Sequence, residues 1–194
     1  RLYIVTPFAA HVAIIILFVM PLVTMRTYAE EKRSGTMELL LTSPITDLQI
    51  ILGKFLGTMG LFVAMLLVTA VDIAILFRLG NPELKPVLTG YLGLLLLGGC
   101  FLSVGLFISS LTKNQIVAGV LTFAVFLMLW IINWFADSVG PTGRVIVGFL
   151  SITEHLDDFT KGIIDTKHVV YYLSFITFGL FLTAKSVDAE RWRG

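Results

Sequence analysis

Residues Arg26 to Asp47 read RTYAEEKRSGTMELLLTSPITD, and this polar stretch lies between two apolar runs that are each long enough to cross a bilayer. It starts with charged residues, which do not remain in hydrocarbon, so the stretch must face water. Helix-breaking residues at Ser34 to Thr36 and at Thr42 to Pro44 then bracket the apolar run Met37 to Leu41. The pattern predicts a short helix held between two turns. We call residues 26–47 the hinge.

The composition is that of a polytopic membrane protein. The 194 residues are 57% hydrophobic and only 14% charged, and the mean hydropathy is +0.93, far from the values of soluble domains. The net charge of +1 and the lack of a long basic run give no reason to expect a nucleic-acid partner. The single cysteine, Cys100, lies in an apolar run and is expected to be a small buried hydrophobe.

Five apolar runs predict an all-α fold with five transmembrane helices in one transmembrane domain, residues 1–194. The second run is preceded by Thr46 to Gln49, which fits a capping box, so a helix should begin there. The polar segment 137–167 is predicted to form amphipathic helices at the outer membrane surface. The predicted spans are Leu2 to Met25, Leu48 to Phe77, Val87 to Leu111, Ile116 to Ala136 and His168 to Ala184.

Five crossings place the hinge, the turn at Lys113 and the polar tail Lys185 to Gly194 on one side of the membrane. That side carries more Lys and Arg than the other, and the positive-inside rule therefore assigns it to the cytoplasm. Along the second span, Gly53, Gly57 and Gly60 form a smooth stripe that is typical of close helix packing. The stripe suits either a rearrangement within the chain or a contact between two copies.

Ionisable residues elsewhere have plainer interpretations. His11 lies within the first span and is expected to be neutral and bonded to a neighbouring helix, and Asp72 is expected to reach the outer interface. A loose group of His and Asp residues is not spaced in a way that would bring its side chains together around a metal ion. We therefore expect the group to form a solvated helix face, and a role in an outer gate is the alternative. Tyr171 and Tyr172 are expected to be interfacial anchors. The group comprises His155, Asp157, Asp158, Asp165 and His168.

The run MRTYAEEKRSGTMELLLTSPITDLQIILGKFLG, Met25 to Gly57, resembles the signature region of the membrane subunits of ABC type-2 transporters. The run LTGYLGLLLLGGCFLSVGLFISSLTKNQIVAG, Leu88 to Gly119, resembles in particular the permeases described as gliding-motility-associated. The resemblance implies that the hinge is a coupling helix seated in a groove of the ATP-binding subunit. It carries this role to Glu31, Arg33, Gly35, Thr36, Glu38, Leu39 and Pro44, and the dense apolar surface expected from the residues themselves adds Met37 and Leu40.

The resemblance further implies an ATP-driven permease, with export as the expected direction, that works in the bacterial inner membrane with a second copy or a homologous permease. ATP and Mg²⁺ would be bound by the partner subunit, because the chain has no phosphate-binding loop. The nearest fragment, Gly53-Lys54-Phe55, lacks the hydroxyl residue, so the chain itself is not expected to be an enzyme. Relatives usually have six spans, and the sixth is expected to precede Arg1.

The main alternative is a secondary transporter or channel that is driven by an ion gradient. That class predicts charged groups buried at mid-membrane, and the third and fourth spans contain none. A complex that uses ATP for anchoring or mechanical work is a third possibility. The uncharged central spans suit lipids, glycans, peptides or drugs alike, so the sequence leaves the substrate open.

Overall fold

The computed structural model describes residues 2–79, 83–132, 148 and 151–191, and every regular element among them is a helix. Residues 133–136 of the predicted fourth span lie outside the described residues, as do 137–147 and 149–150 of the predicted outer segment. The helices are α1 Leu2–Thr24, α2 Ala29–Ser34, α3 Thr36–Thr42, α4 Asp47–Leu79, α5 Leu84–Leu111, α6 Gln115–Ile131, α7 Ile152–Thr160 and α8 Thr166–Arg191.

The predicted polytopic, all-α architecture is confirmed. By length and composition, four stretches of the described chain can cross a membrane, and they fall in α1 with α2, in α4, in α5 and in α8. The described part of the fourth predicted span, α6, is a shorter apolar helix. α4 begins where the capping box predicts, because the Thr46 N–H donates to Gln49 Oε1 (3.0 Å) and the Gln49 N–H donates to Thr46 Oγ1 (3.3 Å).

α5 is the central helix, and it packs against α1, α4, α6, α7 and α8. Its glycines permit this close packing, since a Cβ at Gly98 would lie 2.0 Å from the Phe62 ring of α4 and a Cβ at Gly105 would lie 2.3 Å from Thr24 Oγ1 of α1. Phe101 of α5 stacks on Phe126 of α6 with ring centroids 4.1 Å apart. The core of the bundle is therefore built around α5.

α4 is peripheral by comparison. The positions of Gly53, Gly57 and Gly60 are exposed, and no side chain or neighbouring backbone lies within 4 Å of a Cβ built on any of them. At 100° per residue this stripe lies opposite Phe62 and Leu66, which face the core. The stripe therefore contacts no described part of its own chain, and helix packing there stays a prediction about another chain.

The last helix corrects two expectations from the sequence. α8 was expected to end near Ala184 and to be followed by a polar tail, but it continues to Arg191. It continues because its polar end has partners: Lys32 Nζ lies 2.7 Å from Glu190 Oε2, and Arg191 Nη2 lies 2.9 Å from Asp47 Oδ1.

The tyrosines near the start of α8 are buried and are not interfacial anchors. α7 covers them with its apolar face, and the Tyr172 hydroxyl donates to the carbonyl of Ile152 (3.0 Å). The described part of the predicted outer segment thus packs against the bundle through Ile152, Leu156 and Phe159.

Candidate functional site

The hinge folds into two short helices that meet at Gly35. This residue has φ of +74°, in the left-handed region that glycine adopts without strain, and it ends α2 and begins α3. α3 is the short helix that the sequence predicts between two turns. The charged cluster was not predicted to be helical, and it forms α2 with acidic residues first and basic residues last, an order that suits the helix dipole.

Ser109, near the end of α5, fastens the start of α2. Its Oγ accepts the backbone N–H groups of Tyr28 and Ala29, both at 3.1 Å, and donates to the carbonyl of Met25 at 3.1 Å. The first N–H groups of a helix have no partner within the helix, so this serine does the work of a cap from a distant part of the chain. Sequence reasoning missed this contact, because a serine at the end of an apolar span is usually only a small packing residue.

Lys32 joins α2 to two further helices. Its side chain is only 6% exposed, and its ammonium donates to the Ser110 carbonyl of α5 (2.6 Å) and to the Glu190 carboxylate of α8 (2.7 Å). Ser186 of α8 donates to the same Ser110 carbonyl (3.3 Å). Charged hydrogen bonds of this kind are stronger than neutral ones, and they tie the hinge to the ends of α5 and α8.

Lys54 makes the corresponding connection to α4. Lys54 lies near the start of α4, and its ammonium donates to the Thr27 carbonyl (2.8 Å) and to Glu31 Oε1 (2.5 Å). The same ammonium lies 4.7 Å from the centroid of the Tyr28 ring. Glu31 is therefore half-buried and engaged within its own chain.

The inner face of α3 packs on the bundle. Met37 is 4% exposed and belongs to a cluster with Tyr28, Ile51, Leu106 and Val187, which the half-buried Leu40 joins. The sequence predicted that Met37 and Leu40 would contact a partner, but Met37 is enclosed within this cluster and Leu40 is partly committed to it. The side chain of Leu41 lies outside the described part.

The outer face of α3 is open. Leu39 is 71% exposed, although it is a large apolar side chain on a helix that is fixed from below. The other members of the predicted coupling set that face outwards are Arg33, Gly35, Thr36, Glu38 and Pro44. The structure therefore divides the predicted set into an exposed surface and the residues that hold this surface in place.

At the end of the bundle opposite the hinge, part of the His/Asp group does converge. His155 Nδ1 lies 2.6 Å from His168 Nδ1, and His168 Nε2 lies 2.8 Å from Asp158 Oδ2. Both histidines are buried, so the expectation of a solvated face is wrong for them. Asp157 pairs instead with Lys161, and Asp165 accepts the backbone N–H of Lys167 (3.0 Å). Over the described ranges, no three such side chains are arranged to hold a metal ion.

The family model described as ABC-2 family transporter protein matches residues 3–153, which include the hinge, α1 to α6 and the start of α7. The chain belongs to the ABC-2 transporter family. It is thus a membrane permease subunit of an ABC transporter and not the ATPase. The family is broader than the gliding-motility-associated permeases, and that narrower resemblance stays a prediction. No curated protein matches this ABC-2 permease.

In this permease the hinge is fastened to several membrane helices at once. Lys54 connects it to α4, Ser109 connects it to α5, and Lys32 connects it to α5 and α8. α1 leads directly into it through the turn that follows Thr24. The hinge is therefore connected to α1, α4, α5 and α8.

Proposed function

We propose that this ABC-2 permease couples ATP hydrolysis by a separate ATP-binding subunit to the export of a substrate, and that this subunit docks on the outer face of α3. The observation that carries the proposal is Leu39, a large apolar side chain that is exposed at the surface of a short, firmly held helix. Exposed apolar residues on rigid elements at the water-facing side are typical of docking sites. Arg33 and Glu38 flank it and would supply the polar rim.

ATP and Mg²⁺ would be bound by the partner subunits. When these subunits close, they would push on α3, and the hinge would transmit the displacement. Lys54 would pass it to α4, and Lys32 would pass it to α5 and α8. Because these contacts are short and charged, they would move with the hinge instead of yielding.

A second permease copy, or a homologous permease, would complete the transporter. The glycine stripe of α4 supports this part of the proposal, because Gly53, Gly57 and Gly60 leave a smooth surface that no described residue of the chain covers. The path for the substrate would then open between the two permeases in a bacterial inner membrane. The stretch Leu88 to Gly119 resembles gliding-motility-associated permeases, and a closer relationship to them remains a proposal. This resemblance identifies no cargo.

The docking proposal is tested with Leu39→Asp. We expect the variant to lose copurification of the ATP-binding subunit and transport-linked ATP turnover by at least about tenfold, since an interface hot spot contributes about 2 kcal/mol or more. Its thermal stability should stay close to the wild-type value, because Leu39 is 71% exposed. Leu40→Asp is unsuitable, since Leu40 also packs on the Met37 cluster.

The matched control is Leu84→Asp, which changes another exposed leucine, 62% against 71% for Leu39, at the opposite end of the bundle. It should leave both readings unchanged. If Leu39→Asp also leaves both unchanged, the docking role is ruled out. If no ATPase copurifies even with the wild-type permease, the proposed association with a separate ATP-binding subunit is contradicted.

A further inference from the structure

The histidine pair at the end opposite the hinge joins two helices. His155 lies on α7 and His168 lies in the first turn of α8, and their side chains are almost fully enclosed, at 2% and 6% exposure. The two Nδ1 atoms are 2.6 Å apart, and the other nitrogen of His168 contacts Asp158 Oδ2 at 2.8 Å. A ring nitrogen donates only when it carries a proton and accepts only when it does not, so this contact requires one Nδ1–H and one bare Nδ1.

Two protonation states satisfy the contact. With both imidazoles neutral, the His155 Nδ1–H donates to His168 Nδ1, and the His168 Nε2–H donates to Asp158. With one added proton, His168 is an imidazolium that donates to both His155 and Asp158. With two added protons, two N–H groups and two positive charges face each other, and the hydrogen bond is lost.

We propose that His155 and His168 form a pH-sensitive latch that holds α7 to α8 while at least one imidazole is neutral and releases it when both are protonated. The latch does not depend on the coupling proposal for the hinge. Asp158 balances one positive charge, and burial raises the cost of a second.

The other ionisable and polar groups around the pair do not replace this balance. The ring of Tyr171 lies over His155 with centroids 3.9 Å apart, and Tyr172 faces it at 6.3 Å. Asp157 is engaged by Lys161, and this hydrogen bond raises the pKa of Lys161. Glu154 lies on α7, and Asp165 and Lys167 lie at the start of α8. At the start of α5, Glu83 and Lys85 are exposed, whereas Thr89 and Cys100 further along are buried. α1 carries His11, and α6 carries no charge.

Release of the latch would leave α7 attached on its other side. The Thr89 hydroxyl of α5 donates to the Phe159 carbonyl (2.7 Å), and Gly93 makes room for the Phe159 side chain. On the α8 side, the Tyr172 hydroxyl still donates to the Ile152 carbonyl in the first turn of α7, so release of the latch loosens the contact at the two histidines and does not separate the helices. Acid would therefore loosen the contact between α7 and α8 at this end without unfolding the bundle.

The sign of the pH effect follows from the protons bound. Below about pH 6 both imidazoles of an unfolded chain are largely protonated, whereas the contact between the two Nδ1 atoms accommodates at most one added proton. Unfolding then takes up a proton, so the stability contributed by the latch is present at higher pH and is lost as the pH falls. The folding equilibrium should weaken by up to about tenfold per pH unit in this range.

The test measures the thermal unfolding midpoint of the whole permease in lipid nanodiscs between about pH 5 and pH 8, the range in which histidine titrates. We expect the wild type to lose stability at the acid end and His155→Gln to lose clearly less. His11→Gln is the matched control, because it removes the third histidine of the chain, on an exposed face of α1, and should keep the wild-type profile. A His155→Gln profile that superimposes on that of the wild type overturns the latch.

A local measurement keeps the proposal testable if the substitution affects folding. One variant carries a cysteine at Leu156, a buried residue of α7, and another carries a cysteine at the exposed Lys161. The rates of maleimide labelling of the two cysteines are compared. The ratio of the two rates should rise from pH 8 to pH 5 with both histidines present, and should be constant with His155→Phe, which keeps a ring against Tyr171. A ratio that is independent of pH with both histidines present contradicts the latch.

Discussion

α4 and α5 are both long apolar helices rich in glycine, yet they do different work. In α5, 78% of the apolar membrane-spanning segment is buried within the chain, whereas in α4 only 17% of the corresponding segment is buried. Four of the five glycines of α5 lie directly against neighbouring side chains, as Gly105 does against Thr24, whereas Gly57 of α4 faces open space. The same residue type thus builds the core in one helix and leaves a free surface in the other.

This difference separates the central, enclosed helix of the permease from a peripheral helix that has room to change its neighbours. α5 is held on every side and anchors the hinge through Ser109 and Ser110. α4 packs on α5 through Phe62, and at its hinge end Lys54 and Asp47 form ion pairs. Its exposed face is available to lipid or to a second permease.

The largest effect is expected from enlarging a glycine of α5. Gly105→Leu should prevent folding, and Gly105→Ala should lower the free energy of unfolding by about 1–3 kcal/mol, because a Cβ would lie 2.3 Å from Thr24 Oγ1. Gly57→Ala is the matched change in α4 and should stay within about 0.5 kcal/mol of the wild type. Denaturant titration in detergent measures both, and equal losses would remove the distinction between the two helices.

The connection between the hinge and α5 should come next. Lys32→Ala removes hydrogen bonds to the Ser110 carbonyl and to Glu190 from a nearly buried position, and should lower the free energy of unfolding by about 1–3 kcal/mol. Lys113→Ala, at an exposed lysine at the same end, is the control and should change it by less than about 0.5 kcal/mol. If the loss for Lys32→Ala is as small as that for the control, the contacts of Lys32 with Ser110 and Glu190 do not hold the hinge in place.

The smallest effect on the single chain is expected from a bulky residue on the stripe of α4. Gly57→Leu should leave the free energy of unfolding within about 0.5 kcal/mol of the wild type. It should nevertheless reduce the dimer fraction in nanodisc crosslinking, since a leucine there blocks close approach of a second permease. Leu52→Phe enlarges an exposed residue on the flank of the same helix and should keep the dimer. An unchanged dimer fraction in Gly57→Leu would assign the stripe to lipid.

Local signals in the sequence predicted much of this structure. The apolar runs predicted the long helices, and the capping box at Thr46 predicted the start of α4, since such features depend on residues a few positions apart. The turn residues around Met37 to Leu41 predicted α3 in the same way. The side that α3 turns inwards could not be read, because two helical turns are too short for a clear period.

Features that depend on distant residues were missed. α8 extends to Arg191 because Lys32 and Asp47 form ion pairs with residues at its polar end, and neither of the two is near that end in sequence. The histidines are buried because α7 folds over the start of α8, which no spacing within the segment reveals. Glycines that pack and glycines that face open space look alike until their neighbours are known.

The most direct test of the account asks which end of the permease meets the ATP-binding subunit. Leu39→Cys and Leu84→Cys each place a thiol at an exposed position, one at each end, and the native Cys100 is buried and does not interfere. A bifunctional thiol reagent is applied to membranes that contain both subunits. We predict a crosslink to the ATP-binding subunit from Leu39→Cys and none from Leu84→Cys. A crosslink from Leu84→Cys alone would contradict the assignment of α3 as the coupling element.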